Sequence, residues 1–180
     1  ADIITRIRAM TRKETKFYEN LNIRELLDEV ILILKKEIIK NKINIKIEEF
    51  NKNIISGDKV KIQQILMNII INSIHSISET TYREKIINII IKSKSNNFVS
   101  IEFIDTGTGF LNVNSDDLFE PFVTTKPHGM GMGLPISREI AHAHGGFLSV
   151  SNNTPYGATV IVTLPVTKKK DFLRDASYNT

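Results

Sequence analysis

Between Arg24 and Leu164 the apolar residues change period repeatedly, and this limits the fold more than any other feature. Leu26, Leu27, Val30, Ile31 and Leu34 recur at helical spacing through residues 24–40, with charges opposite. Ile43, Ile45 and Ile47 then alternate with Asn44, Lys46 and Glu48, the pattern of a strand with one wet face. Ser56-Gly57 breaks the chain, and Asp58 is placed to cap the isoleucine-rich helix that follows. Residues 86–94 and 98–105 flank Ser95-Asn96-Asn97 and predict a hairpin; residues 147–152 and 158–164 predict a second. A loop region spans Thr106 to Met132, and a helix runs from about Leu134 to His144. The alternation predicts an α/β two-layer sandwich: a mixed, mostly antiparallel sheet with helices on one face.

Composition narrows the functional classes. The 180 residues suffice for one packed domain, or one domain and a short appendage. With no cysteine there is neither a disulfide framework nor a thiol nucleophile, which fits a cytoplasmic setting. No apolar run has membrane length, although a full-length protein is free to carry an anchor elsewhere. The formal net charge of +4 is mild and its lysines and arginines are scattered, so a nucleic-acid surface has no support. Lys168–Lys170 reads as part of a solvated tail. Residues 2–14 read as a half-amphipathic helix, with Ile3, Ile7 and Met10 on one side and no partner evident within the chain.

Three segments carry chemistry. In QQILMNIIINSIHSI, residues 63–77, helical steps align Gln64, Asn68, Asn72, His75 and Glu79, while Ile62, Ile65, Leu66, Ile69 and Ile70 supply core contacts. A solvated stripe would normally use Glu and Lys; asparagine is a poor helix former, whereas its amide oxygen is a hard ligand for Mg²⁺. In DTGTGF, residues 105–110, a strand delivers Asp105 to its end, and Gly107 and Gly109 let the backbone approach a flat ligand. A carboxylate there can accept from an exocyclic amine such as adenine's, although an ordinary turn has the same residues. In GMGMGL, residues 129–134, Gly129, Gly131 and Gly133 free backbone N–H groups for an anion at a helix start. Just upstream, FEPFVTTK places Phe119 and Phe122 as loop anchors and Lys126 within reach of phosphate. Together these describe a Mg-nucleotide pocket.

The order GDKVKIQQILMNIIINS, DTGTGF, FEPFVTTKP, GMGMGLPISREIAHAHGG resembles the catalytic ATP-binding domain of sensor histidine kinases, with its N box, first glycine box, F box and second glycine box. GATVIVTLP is similar to that domain's last strand. The likeness covers roughly residues 20–165 and implies the Bergerat-type sandwich of the GHKL ATPases. It implies that Asn72 holds Mg²⁺, that Asn68 lies beside it on the ATP phosphates, and that Asp105 reads adenine. Gly107 and Gly109 would line the base, and Gly129, Gly131 and Gly133 would hinge a short lid. Asn68 and Lys126 would act on the transferring phosphoryl, with His75, Thr125 and Leu134 completing the nucleotide-contacting set.

The chain also departs from that pattern. His75 stands where many such kinases have lysine, and either contacts phosphate or merely packs; Ser73 replaces the usual alanine. His142 and His144 are two apart, point to different sides of a helix and cannot share an ion; His144 is expected to close its helix before Gly145-Gly146. The four histidines are followed by Ser76, Gly129, Ala143 and Gly145, none of them acidic, so the phosphoacceptor histidine is expected on dimerisation helices outside this chain. Residues 1–18 would be the end of such a helix and its linker, 19–167 the catalytic domain, and 168–180 a polar tail. The implied activity is transfer of the ATP γ-phosphoryl to that histidine for relay to a response regulator receiver domain, by a fragment that is monomeric or weakly dimeric. A GHKL ATPase would carry a glutamate base where Asn68 stands, and a non-catalytic nucleotide-binding module would not need every box intact.

Overall fold

The computed structural model describes residues 18–51, 54–81, 83–95, 97–110, 117–122 and 131–166. The helix expected over residues 2–14 and the tail from Lys168 lie outside them.

Strand β1, Glu19–Asn22, pairs antiparallel with β3, Ile54–Gly57, in a two-stranded ribbon. Helix α1, Ile23–Lys40, separates β1 from β2, Asn44–Glu49. Helix α2, Lys59–Ser78, follows β3 and leads to β4, Ile86–Ser95, and β5, Phe98–Asp105. After a 3₁₀ turn at Asp117–Phe119 come α3, Gly133–Ala143, then β6, Phe147–Asn152, and β7, Ala158–Pro165. The main sheet has the order β2-β4-β5-β7-β6, with only the β2–β4 pair parallel. The fold is the expected α/β sandwich on a mixed, mostly antiparallel sheet.

Alternation along the strands decides which side chains enter the core. Ile87, Ile89 and Ile91 of β4, Val99, Ile101 and Phe103 of β5, and Val160, Val162 and Leu164 of β7 are buried. Against them pack Leu26, Leu27, Val30 and Leu34 of α1, Ile62, Ile65, Leu66, Ile69 and Ile70 of α2, and Ile140 and Ala141 of α3. The α2 stripe is the apolar set read from the sequence. Asp58 caps α2, its Oδ1 accepting from the Lys61 N–H at 3.1 Å.

The ribbon corrects one expectation. Ser56-Gly57 is the end of β3, paired with Asn20 and Glu19, rather than a simple break. A four-residue strand is too short to show a period, so its pairing depends on the tertiary contact. Glycine suits residue 57 because a Cβ there would lie 3.0 Å from His144 Cδ2.

Candidate functional site

The site is assembled along α2. Successive steps of four residues turn a helix by only about 40° each, so Asn68, Asn72 and Ser76 form a near-continuous line. At the N-terminal end of that line Asn68 Nδ2 donates to the Gly133 carbonyl at 3.3 Å and to Ser137 Oγ at 3.2 Å. This ties α2 to the first turn of α3. Gly133 also faces Asn72: a Cβ on it would lie 3.6 Å from Asn72 Nδ2. Pro135 is buried in the first turn of α3, where it forfeits no helical hydrogen bond.

The middle of the line reaches Asp105, a residue only 5% exposed at the end of β5. Its Oδ1 accepts from the Gly107 N–H at 2.9 Å and the Ala158 N–H at 3.2 Å. Its Oδ2 accepts from Ser73 Oγ of α2 at 3.2 Å. Three donors from α2, the glycine turn and β7 therefore fix the plane of the carboxyl group, which accepts on both oxygens. Gly157 makes this approach possible: it sits at φ 92°, and a Cβ on it would overlap the Asp105 carbonyl oxygen.

The far end holds the glycine turn in place. Ser76 Oγ accepts from the Thr108 N–H at 3.0 Å and lies 3.2 Å from Thr108 Oγ1. Gly107 packs so closely on Ser76 that a Cβ would overlap Ser76 Oγ and stand 2.8 Å from its carbonyl carbon. Asn152 of β6 brackets Phe110, accepting its N–H at 2.7 Å and donating to its carbonyl at 3.1 Å. Arg83 donates to the Gly107 carbonyl at 3.1 Å and lies 4.1 Å above the Tyr156 ring.

Of the residues singled out in the sequence, Asn68, Asn72, Asp105, Gly107, Gly109, Gly133 and Leu134 are gathered around α2, the end of β5 and the start of α3. Gly131, at φ 62°, accepts from the Phe122 N–H at 3.2 Å, joining the two sides of the segment 123–130. Thr125, Lys126 and Gly129 lie outside the described residues. His75 is exposed; the three-residue step from Asn72 turns it off the line, and Ser76 takes the place facing the turn. Ser73, Ser76, Ser137, Asn152 and Gly157 were not read as site residues. Ser76 had a signal in its place four positions beyond Asn72, and Ser73 in replacing the usual alanine.

Among the described residues no group of three or more His, Asp or Glu could cage a metal ion. Among the described residues, Asn72 would offer a cation its amide oxygen. That donor set fits Mg²⁺, which retains waters and takes its other ligands from substrate phosphates.

An amide-bearing helix, a buried strand-end carboxylate and a glycine-led helix on such a sheet define a nucleotide-binding domain. The family described as histidine kinase-, DNA gyrase B- and HSP90-like ATPases matches residues 57–168, and the chain belongs to it. Sensor proteins and sensor histidine kinases are among its relatives in sequence. It is 37% identical over 113 residues to the sensor protein FixL of Bradyrhizobium diazoefficiens, covering 63% of this chain and 22% of FixL. It is 30% identical over 168 residues to the sensor histidine kinase TmoS of Ectopseudomonas mendocina, covering 92% of this chain but only 17% of TmoS. The chain therefore spans about a fifth of the length of these two relatives. The solved catalytic domain of histidine kinase ThkA superposes with a TM-score of 0.71 at 27% identity, over 82% of this chain and 95% of that one. A ThkA chain in complex with the response regulator protein TrrA gives a TM-score of 0.74 at 24% identity, over 91% of this chain and 46% of that one.

Proposed function

We propose that this domain binds Mg-ATP as the kinase domain of a two-component sensor histidine kinase. Its γ-phosphoryl acceptor is a histidine on dimerisation helices, which passes the phosphoryl to a response regulator aspartate. The observation that carries the reading is the double bridge from α2. Asn68 holds the start of α3, and Ser73, five residues on, holds the Asp105 carboxylate. One rigid helix thereby fixes the distance between an anion-binding helix start and a base-reading carboxylate.

The parts divide the substrate between them. Asp105 accepts from the adenine amine, while Gly107 and Gly109 admit the flat base. The N-terminus of α3, with Gly131 and Gly133, offers backbone N–H groups and a positive helix end to phosphate oxygens. Asn72 would hold Mg²⁺, which neutralises phosphate charge when bound. Lys126 and Thr125 contribute from the F box. Phosphoryl transfer asks chiefly for positioning and charge neutralisation, so no residue here needs to form a covalent bond. Hydrolysis would need a base on the attacking water; an amide at residue 68 takes up no proton and is occupied in donating to Gly133 and Ser137.

The sensor-kinase relatives and the ThkA–TrrA complex support the acceptor and relay partners. The test is equilibrium dialysis against γ-labelled ATP with Mg²⁺, then addition of a histidine-bearing dimerisation domain. Retained, intact ATP whose label moves to histidine is the expected result. Release of free phosphate at the rate of binding would point to an ATPase, and absence of retention would remove the nucleotide reading.

A further inference from the structure

The side chains of Asn68 and His144 each hydrogen-bond α2 to α3. One contact is that of Asn68 with Gly133 and Ser137. The other lies at the N-terminus of α2 and the C-terminus of α3. His144, which ends α3, accepts on Nε2 from the backbone N–H of Asp58, the N-cap of α2, at 3.1 Å. The separations agree, because ten residues from Asp58 to Asn68 and eleven from Gly133 to His144 each span about 15–17 Å of helix. Helix α3 is thus pinned near both of its ends to the N-terminal half of α2, which runs antiparallel to it.

The imidazole has little freedom. Its Nδ1 lies 2.7 Å from the Ile140 carbonyl, which can only accept, so Nδ1 carries the proton and Nε2 is the acceptor that Asp58 requires. The ring is buried, with the Tyr18 ring 5.2 Å away and the Tyr18 hydroxyl donating to the Ala143 carbonyl at 3.2 Å. A helix cap needs only the Ile140 bond. The bond to Asp58, 86 positions away, does something a cap does not.

We infer that His144 is a positioning residue for the nucleotide site: by joining the N-terminus of α2 to the C-terminus of α3, it sets how Gly133 meets Asn68 and Asn72. The inference rests on the nucleotide reading of that site. Tyr18, beside the His144 ring and bonded to the Ala143 carbonyl, is part of the same brace.

Three substitutions separate the two bonds. His144→Gln places an amide oxygen near the position of Nε2, His144→Asn an amide N–H near Nδ1, and His144→Phe keeps the ring without either. The readouts are Mg-ATP affinity by equilibrium dialysis and the Asn68 side-chain amide resonances in nucleotide-free protein. Affinity should fall roughly five- to twentyfold in the Asn and Phe variants, a usual range for coupled sites, and stay within about twofold in the Gln variant. The Asn68 resonances should move in the first two and not in the third. Equal affinity losses in all three, or none in any, would overturn the inference. If the wild type itself binds no ATP, the nucleotide reading fails separately. The Asn68 resonances then judge the brace alone, and it falls if they stay unmoved in every variant. Should the Phe variant not fold, the Gln–Asn contrast decides by itself.

Discussion

Asp105→Asn tests the base-reading assignment because it changes charge and proton inventory while almost preserving shape. The remaining carbonyl oxygen can stay where Oδ1 accepts from Gly107 and Ala158, at 2.9 and 3.2 Å. The new amide nitrogen then replaces Oδ2, and Ser73 Oγ turns from donor to acceptor. Bonds to a charged acceptor contribute about 1.5–3 kcal/mol against about 1 for neutral ones, so the fold should lose about 1–2 kcal/mol. For a chain of this size that lowers Tm by roughly 2–8 °C. Binding suffers more, because an amine donor meets an amide donor. Losing one charge-assisted bond of about 1.5–3 kcal/mol weakens ATP roughly 10- to 150-fold. Inosine triphosphate, which presents a carbonyl where ATP has the amine, should lose far less, so the ATP preference shrinks or reverses. Competition dialysis of the two nucleotides against wild type and variant measures this. An ATP affinity within about threefold of wild type, or an unchanged ATP-to-inosine ratio, would refute the assignment.

Asn72→Ala should remove the dependence of nucleotide binding on Mg²⁺ and leave metal-free binding nearly intact; a variant still helped by Mg²⁺ in a titration would contradict the role of that amide. Gly107→Ala drives a Cβ into Ser76, including its backbone, so adding Ser76→Ala should relieve only part of a loss of about 1–3 kcal/mol in urea unfolding. Lys59 donates to Glu29 at 2.9 Å, and this bond raises its pKa above the ordinary 10.5. A group raised on folding stabilises below its unfolded pKa and loses that contribution as pH climbs through the folded one. The urea midpoints of wild type and Lys59→Met should therefore converge above about pH 10.5, and added salt should shrink their difference at neutral pH.

The main sheet and three helices were legible because their apolar residues repeat over lengths that sample the period several times. The β1–β3 ribbon was not, since Glu19–Asn22 and Ile54–Gly57 are too short to do so. The parallel β2–β4 pairing was hidden too, because alternation tells which face is wet and not which neighbour is chosen. Within the site, the asparagines and glycines stood out through what they cost: amides in a helix interior and flexible residues at fixed spacing. Ser73 stood out only as a replacement of the usual alanine, and nothing in the chain marked Ser137 or Asn152.

The sequence by itself determined the class of fold, the capping of α2 by Asp58, and the set of amide, carboxylate and glycine residues, since each follows from local periodicity or local backbone demand. Only the tertiary structure decided which of them meet. Ser76 displaced His75 from the line because helical rotation favours the fourth residue over the third. Ser73 became a ligand of Asp105 and His144 a bond to Asp58 because those partners are 32 and 86 positions away and are brought together by packing alone. A hydrogen bond acts over about 3 Å, and separation along the chain does not say which atoms will come that close.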